Sequence, residues 1–183
     1  MSKIIFGFSG LLSSGKGTVV KYLEEKHGAK GYRFSSMIRY VLDRFYLPHT
    51  RENMVLASEA LREKFGDDIL SKTMAEDVKK DNTELIIVDG VRRLSDIKFL
   101  MLLPNFVLVK IETDYKIRYE RLIKRGENSD DNSKTYEQFL ADHQKSTEIT
   151  IPEVMEKATE TINNDGSLED LHNQLDTLVA KYK

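Results

Sequence analysis

The sequence has 183 residues, enough to bury one sizeable core, so we predict a single domain over residues 1–183. Its 28 basic and 30 acidic side chains give a net charge of −2, which leaves no overall field to draw the chain to nucleic acid or to an anionic membrane. The absence of cysteine excludes disulfides, thiolate metal sites and cysteine nucleophiles.

The first predicted element is a strand formed by the apolar run at residues 4–8. This run is too short to span a bilayer and a glycine-rich loop follows it directly, so we interpret it as a core strand and not as a signal peptide. We therefore expect a cytoplasmic protein that does not enter a membrane, present as a monomer or a homodimer.

The loop at residues 10–18 reads Gly-Leu-Leu-Ser-Ser-Gly-Lys-Gly-Thr and matches the phosphate-binding pattern G-x-x-x-x-G-K. It leads into a helix predicted over residues 16–27, which Gly28 ends. In such a loop the glycines allow a tight turn, the backbone N–H groups and the helix N-terminus attract an anion, and Lys16 supplies a cation. A simple turn rich in glycine and serine is the alternative, but the flanking strand and helix favour a nucleotide-phosphate site.

The next part of the chain is predicted to form a short strand and a helical region. The strand covers residues 32–34, and Ser35 or Ser36 can cap the helix that follows. Two further helices are predicted within residues 51–80. We expect the helical region, residues 35–81, to form a wall over a site for a phosphate acceptor.

The rest of the chain alternates apolar runs with helical patterns, which is typical of parallel α/β sheets. The predicted elements are a strand at 85–88, a helix at 94–103, a strand at 106–111, helices at 114–125, 136–146 and 151–158, a strand at 160–163, and a last helix from Ser167. We predict a three-layer P-loop NTPase fold with a five-stranded parallel sheet, its core at residues 1–34, 82–113 and 159–183. The polar segment 126–134 is expected to be a short exposed lid.

Asp89 follows the apolar strand at 85–88, and parallel α/β sheets bind ligands beyond the carboxyl ends of their strands. Phosphoryl transfer needs charge neutralisation and alignment, so a magnesium site is expected beside the phosphate loop. We assign Asp89 to water-mediated Mg²⁺ and Thr18 to the metal or one of its waters. A turn in which Asp89 caps Gly90 is the alternative interpretation.

Three arginines are expected to face the strand ends, where arginines can hold an acceptor phosphate bidentately. They are Arg39 in the second helix, and Arg92 and Arg93 directly after the Asp89-Gly90 turn. The histidines show no metal-ligand spacing, so we interpret all four as surface or helix-end residues: His27, His49, His143 and His172.

Three more arginines, Arg118, Arg121 and Arg125, lie at i, i+3 and i+7 and therefore on one face of a helix. A solvated basic face is the usual explanation of such a stripe. Because this helix leads from a strand end toward the nucleotide, we assign Arg121 and Arg125 to the transferring phosphate. The acidic pair at 130–131 either orders the lid or only solvates it.

These motifs together resemble P-loop kinases of the adenylate kinase type, and the resemblance runs nearly from end to end. It implies ATP as phosphate donor, acceptor-phosphate binding by Arg39 and by Arg92 or Arg93, magnesium placement by Asp89, and a lid hinged on the helix of Arg121 and Arg125. The motifs that carry it are the Gly-Lys-Gly-Thr ending of the loop, Met37-Ile38-Arg39, Asp89-Gly90-Val91-Arg92, Glu-Arg-Leu-Ile-Lys-Arg-Gly-Glu at 120–127, and Ser129-Asp130-Asp131-Asn132.

Residues 60–67 and 162–171 look more like the dephospho-CoA kinases and the archaeal adenylate-kinase-related proteins. In that group the loop after the last strand borders the adenine of ATP, which implies that role for Asn164 to Gly166.

The chain also departs from the family pattern. Ser35 and Ser36 stand where adenylate and UMP/CMP kinases have Thr-Gly-Asp, and Phe139 stands near a lid arginine position. Residues 95–97 replace the region of the adenine-reading glutamine. These differences argue against AMP as acceptor, and they predict either slow turnover or arginines supplied from elsewhere, such as Arg118 or a partner chain.

The main hypothesis is an ATP- and Mg²⁺-dependent kinase that moves the γ-phosphate to a (deoxy)nucleoside monophosphate or a related nucleotide such as dephospho-CoA. An ATP-binding switch or weak ATPase regulated by a macromolecular partner is the alternative. The residues assigned to ATP are Gly10, Ser13, Ser14, Gly15, Lys16, Gly17, Thr18, Val19, Arg121, Asn164 and Gly166. Those assigned to the acceptor are Ser35, Arg39, Arg92 and Arg93; to catalysis Lys16, Arg92, Arg121 and Arg125; and to the metal Thr18 and Asp89.

Overall fold

A computed structural model of the protein describes residues 3–125, 134–143 and 148–183. Within them, five parallel strands form one sheet in the order β2-β3-β1-β4-β5, which confirms the predicted five-stranded parallel sheet. The strands are β1 (Ile4–Ser9), β2 (Lys30–Arg33), β3 (Leu85–Asp89), β4 (Phe106–Glu112) and β5 (Glu160–Asn163). The central strand β1 pairs Ile5 with Ile86 of β3 on one side and with Phe106 of β4 on the other.

Helices connect the strands and cover both faces of the sheet. They are α1 (Lys16–His27), α2 (Phe34–Arg44), α3 (Arg51–Phe65), α4 (Ile69–Lys80), α5 (Leu94–Ile97), a 3₁₀ helix (Leu100–Leu102), α6 (Tyr115–Arg125), α7 (Tyr136–Asp142), α8 (Ile151–Met155) and α9 (Leu168–Tyr182). In the described part of the chain, no helix combines the length and the apolar character needed to cross a membrane.

The sheet separates two apolar clusters, because successive side chains of a strand point to opposite faces. Phe6 and Phe8 of β1 pack with residues of α1 and α9, such as Leu23 and Leu175. Ile5 lies in the other cluster, with residues of α2, α4, α5 and α8. Burial on both faces explains why the central strands are continuous apolar runs, and it produces the predicted three layers.

Helix α2 begins earlier than the serine pair had indicated. It starts at Phe34 with Arg33 as its N-cap residue and no side-chain cap, so Ser35 and Ser36 lie in its first turn. The reason is that β2 ends at Arg33, whose extended backbone passes directly into the helix and leaves no room for a separate capping serine.

The helix predicted at 94–103 is instead a single turn, α5, followed by the 3₁₀ helix. The N–H of Phe99 donates to the Ser71 hydroxyl of α4, at 3.0 Å, so the α-helical hydrogen-bond pattern ends there. Helix α8 is likewise shorter than predicted and ends at Met155. Helix α7 ends at Asp142, and the predicted extension to 146 falls largely on residues outside those described.

Candidate functional site

The loop between β1 and α1 makes a tight turn at the carboxyl end of the sheet. Ser13 and Gly15 both have positive φ angles, 60° and 98°, and the Ser14 N–H donates to the Leu11 carbonyl at 3.1 Å. A Cβ on Gly10 would lie 2.6 Å from the Ser14 hydroxyl and 3.0 Å from the Ile111 carbonyl. Only a glycine therefore fits where the loop leaves the sheet, as its pattern requires.

Lys16 folds back over this loop. Its ammonium donates to the carbonyls of Gly10 and Leu11, the second at 3.1 Å. Burial lowers the pKa of Lys16 to about 8, while the negative charges of Asp89 and Glu148 act in the opposite direction. A lysine held this way is a cation in a poorly solvated site, where an anion would gain strongly from contact with it.

Three chain segments meet at the start of α1. The Asn164 amide is buried and donates to the Ser14 carbonyl at 2.8 Å, and the Thr113 hydroxyl donates to the same carbonyl at 3.1 Å. A Cβ on Gly15 would clash with this Asn164 amide and lie 4.0 Å from Nη1 of Arg121. The structure thus brings together the predicted ATP residues Gly15, Arg121 and Asn164.

The remaining residues assigned to ATP differ in how far they are exposed to solvent. Gly17 and Thr18 lie exposed in the first turn of α1. The Val19 side chain is fully buried in the core, and its N–H donates to the Gly15 carbonyl, so its part in the site is structural. Gly166 is exposed beside the Asp170 carboxylate at the start of α9.

Asp89 is paired with an arginine that the sequence reasoning missed. Both Nε and Nη2 of Arg33 lie 2.9 Å from Asp89 Oδ2, while Oδ1 accepts the Gly90 N–H at 2.7 Å. The two residues are direct partners at the ends of β2 and β3, so only the strand order could have revealed the pair. Because its charge is already balanced, Asp89 suits a water-mediated metal contact better than a direct one.

No group of three or more potential metal-ligating side chains occurs among residues 3–125, 134–143 and 148–183. Mg²⁺ does not require one, since it usually keeps several waters and takes one or two protein ligands. The absence of such a group among these residues therefore does not argue against the Mg²⁺ site predicted at Thr18 and Asp89.

Glu148 is a second carboxylate of the site that sequence reasoning missed. It is 8% exposed and lies just before α8, with Oε1 3.7 Å from Nη1 of Arg92. Its Oε2 is buried and has no hydrogen-bond partner in the described structure. The Thr150 hydroxyl donates to the Arg92 carbonyl at 2.8 Å, which fixes the segment against the turn after β3. The surrounding Thr-Glu-Ile-Thr sequence carries no recognisable signal.

The arginines assigned to the acceptor contact different partners. Arg39 donates from Nη1 to the Ser35 hydroxyl at 3.1 Å on an exposed surface. Arg92 faces Glu148, and Arg93 lies 3.8 Å from Asp67 at the α3–α4 connection. Their backbones are better fixed than their side chains, because Asp96 Oδ2 accepts the N–H groups of both Arg92 and Arg93 at 3.0 Å.

Arg118 does not belong to a solvated basic face, because it is only 1% exposed. It donates to the carbonyls of Leu12 and Thr113, each at 3.1 Å, and to Nε2 of His143 at 2.7 Å. Its guanidinium also lies 4.4 Å from the ring centre of Tyr115, and burial lowers its pKa. It therefore braces the phosphate loop from inside the protein.

His143 lies at a helix end, as predicted, but its ring has partners that the sequence did not indicate. This residue follows the end of α7, but its ring is half-buried, with Nδ1 donating to the Phe139 carbonyl and Nε2 accepting from Arg118. Phe139 is fully buried, so it packs where a lid arginine was expected to reach the site. The Arg125 side chain and residues 126–133, including the Asp130-Asp131 pair, lie outside the described part.

Comparison with known proteins shows the family of the chain and the proteins that share its fold. A family model described as "AAA domain" matches residues 9–139. A UPF0200 protein of Saccharolobus islandicus is 30% identical over 166 residues, which cover 88% of this chain and 85% of that protein. The crystal structure of TT1252 from Thermus thermophilus matches with a TM-score of 0.67 at 18% identity over 100% of both chains. Shikimate kinase from Acinetobacter baumannii, in complex with shikimate, matches with a TM-score of 0.56 at 18% identity over 99% of this chain and 95% of that chain.

Proposed function

We propose that this chain, which belongs to the AAA domain family and to the UPF0200 proteins, is an ATP- and Mg²⁺-dependent kinase. It would transfer the γ-phosphate of ATP to a (deoxy)nucleoside monophosphate or a related nucleotide such as dephospho-CoA. The observation that carries the proposal is the junction of Gly15, Asn164 and Arg121 at the N-terminus of α1. The glycine loop, the N-terminus of α1 and the cations of Lys16 and Arg121 together form a cradle for the phosphates of a nucleotide.

In this proposal the loop from Gly10 to Thr18 binds the phosphates of ATP, and the loop from Asn164 to Gly166 borders the adenine. Lys16 exchanges its contacts with the loop carbonyls for phosphate oxygens, and Arg121 supplies its buried Nη1, which has no partner in the described structure. Mg²⁺ would neutralise charge on the phosphates, and Thr18 and Asp89 would hold its waters.

The acceptor would lie between α2 and the turn after β3, under the helical region 35–81. Ser35 and Arg39 approach it from one side, and Arg92 and Arg93 from the other. Arg92 and Arg93 already have carboxylate partners, Glu148 and Asp67, so an acceptor phosphate would have to compete with them. Arg125 and a lid at 126–134 would complete the enclosure that excludes water. We expect the enzyme to act in the cytoplasm, as a monomer or homodimer.

The test is an assay of ADP release across a panel of nucleoside monophosphates and dephospho-CoA, with Mg²⁺ present. Lys16→Met should abolish acceptor-dependent ADP release. Lys21→Met is the matched control, because Lys21 lies in the same helix but is exposed and pairs only loosely with Glu25. ADP release that does not depend on any acceptor would contradict the kinase proposal.

An ATP-binding switch or weak ATPase is the second candidate. Two observations favour it: Arg118 is committed to bracing the phosphate loop, and Asp89 is already paired with Arg33. Both contacts reduce the number of unpaired charged side chains that could align the phosphates, the metal ion and the transferring phosphoryl group. ATP hydrolysis that a macromolecular partner stimulates, with no phosphorylated product, would distinguish this function from a kinase.

A further inference from the structure

Glu148 has a buried carboxylate oxygen and lies beside Arg92, one of the arginines assigned to the acceptor. The residue is 8% exposed, and its Oε2 has no hydrogen-bond partner in the described structure. Burial of a polar atom without a partner is unfavourable, so it calls for an explanation. The segment that carries Glu148 is also held in place, since the Ile151 N–H donates to the Glu148 carbonyl at 3.0 Å and Thr150 is tied to Arg92.

The cations around Glu148 belong to the place where phosphate would be transferred. Its carboxylate lies 3.7 Å from Arg92 and acts electrostatically on Lys16 and on Arg118. Lys16 is the cation of the phosphate loop, and Arg118 contacts the same loop at Leu12. Glu148 therefore lies beside an arginine assigned to the acceptor and within electrostatic range of the lysine that would contact the donor phosphates.

Of the two carboxylates that act on Lys16, only Glu148 has an oxygen that is not engaged. Asp89 uses Oδ2 for Arg33 and Oδ1 for the Gly90 N–H. An ionised carboxylate accepts hydrogen bonds and donates none, so Oε2 of Glu148 needs a donor from the ligand. An acceptor phosphate would bring like charge to this oxygen and would compete for Arg92, whereas a hydroxyl group would satisfy it.

Building on the proposed kinase function, we propose that the acceptor receives the phosphate on a hydroxyl group and that Glu148 is the base that takes the hydroxyl proton. The hydroxyl oxygen forms the new bond to the γ-phosphorus, and the bond from the γ-phosphorus to the bridging oxygen breaks, leaving its electron pair on ADP. The hydroxyl proton goes to Oε2 of Glu148 and then to solvent. The product is a phosphate monoester.

The test compares hydroxyl acceptors, dephospho-CoA and shikimate, with acceptors that react through phosphate, the nucleoside monophosphates. Phosphorylated products are identified by ³¹P NMR for the wild type, Glu148→Gln and Glu148→Asp. We expect transfer to a hydroxyl acceptor, a drop in kcat of about 10²- to 10⁴-fold in Glu148→Gln with little change in KM, and partial recovery in Glu148→Asp. Glu153→Gln, on the exposed side of α8, should behave like the wild type.

The possible results separate this inference from the proposed function. Transfer only to nucleoside monophosphates would overturn the role of Glu148 and leave the kinase proposal standing. A raised KM with unchanged kcat in Glu148→Gln would also overturn it, because Glu148 would then act only by positioning Arg92. No transfer to any acceptor by a wild type that binds ATP would overturn both. Thermal melts of each variant show whether a loss of kcat comes from unfolding.

Discussion

Arg118 donates a hydrogen bond from Nη1 to the backbone carbonyl of Leu12, at 3.1 Å and across 106 positions of sequence. Through this bond, and those to Thr113 and His143, one buried guanidinium joins the phosphate loop, the β4–α6 connection and α7. The shape of the phosphate loop therefore depends on a residue far from it in the chain.

Replacing Arg118 with methionine keeps much of the side-chain volume but removes every hydrogen bond. We expect a loss of about 3 kcal/mol in the free energy of unfolding, because buried carbonyls lose their donor. Arg51→Met is the control, since Arg51 is exposed at the start of α3, and it should change stability by less than about 0.5 kcal/mol. Urea unfolding measures both variants, and equal effects would contradict the bracing role.

Lys16 should make stability depend on pH in the alkaline range. Its pKa falls from 10.5 in the unfolded chain to about 8 in the fold, so its charge costs stability below about pH 8. From pH 8 to 10.5 the unfolded chain holds the additional proton, and the cost is relieved as pH rises. The stability of the wild type relative to Lys16→Met should therefore increase across this window, by at most about 3 kcal/mol.

Urea unfolding of both proteins at several pH values between 8 and 10.5 checks this. The comparison removes the contributions of other titrating groups, which both proteins share. A stability difference that stays constant over the window would mean that Lys16 keeps its ordinary pKa in the fold.

Gly15 should not tolerate a side chain. Its φ is 98°, and a Cβ would clash with the Asn164 amide. We expect Gly15→Ala to lose about 2 kcal/mol of stability and to weaken ATP binding. Gly17→Ala is a matched control, because nothing lies within 4 Å of its added Cβ and α1 already includes it, so it should gain up to about 1 kcal/mol.

The double variant Gly15→Ala, Asn164→Ala separates the two causes. Asn164→Ala itself loses the bond to the Ser14 carbonyl, so the comparison is with Asn164→Ala alone. In that background the clash is absent but the unfavourable φ remains, so adding Gly15→Ala should cost less stability than it does in the wild type. Calorimetric melts without ATP measure the stability of each variant, and melts with ATP measure how strongly it binds the nucleotide. If Gly15→Ala costs nothing in the Asn164→Ala background, the whole effect comes from the clash; if it costs as much as in the wild type, the effect comes from the backbone.

The Arg33–Asp89 pair should control how much Mg²⁺ with ATP raises the melting temperature of the protein. Arg33→Gln removes the cation that now balances Asp89, so Mg²⁺ with ATP should raise the melting temperature of this variant more than that of the wild type. Asp89→Asn should reduce the response below the wild-type value. Melting curves over a Mg²⁺ titration measure this, with Arg44→Gln, exposed at the end of α2, as control. Equal responses in all four proteins would exclude Asp89 from the metal site.

Local patterns in the sequence were sufficient to predict most of the fold. The apolar runs placed β3 and β4 to within one residue, and the glycine pattern located the turn that begins α1. Residues whose roles depend on long-range partners could not be found this way. Arg33 meets Asp89 only because β2 and β3 are neighbours, and Arg118 is buried only because α7 packs over it. Glu148 belongs to no recognisable motif, and only its position in the fold, beside Arg92 and just before α8, makes it a candidate site residue.

The position of β1 in the middle of the sheet has a consequence for how the protein folds. Ile5 pairs with Ile86 and with Phe106, so the sheet cannot close around its first strand until more than half of the chain has left the ribosome. Gly10 in turn packs against Ile111 of β4. The phosphate loop is among the earliest segments to be synthesised, yet it acquires its shape late, and an interrupted synthesis would yield chains that carry the loop without a site.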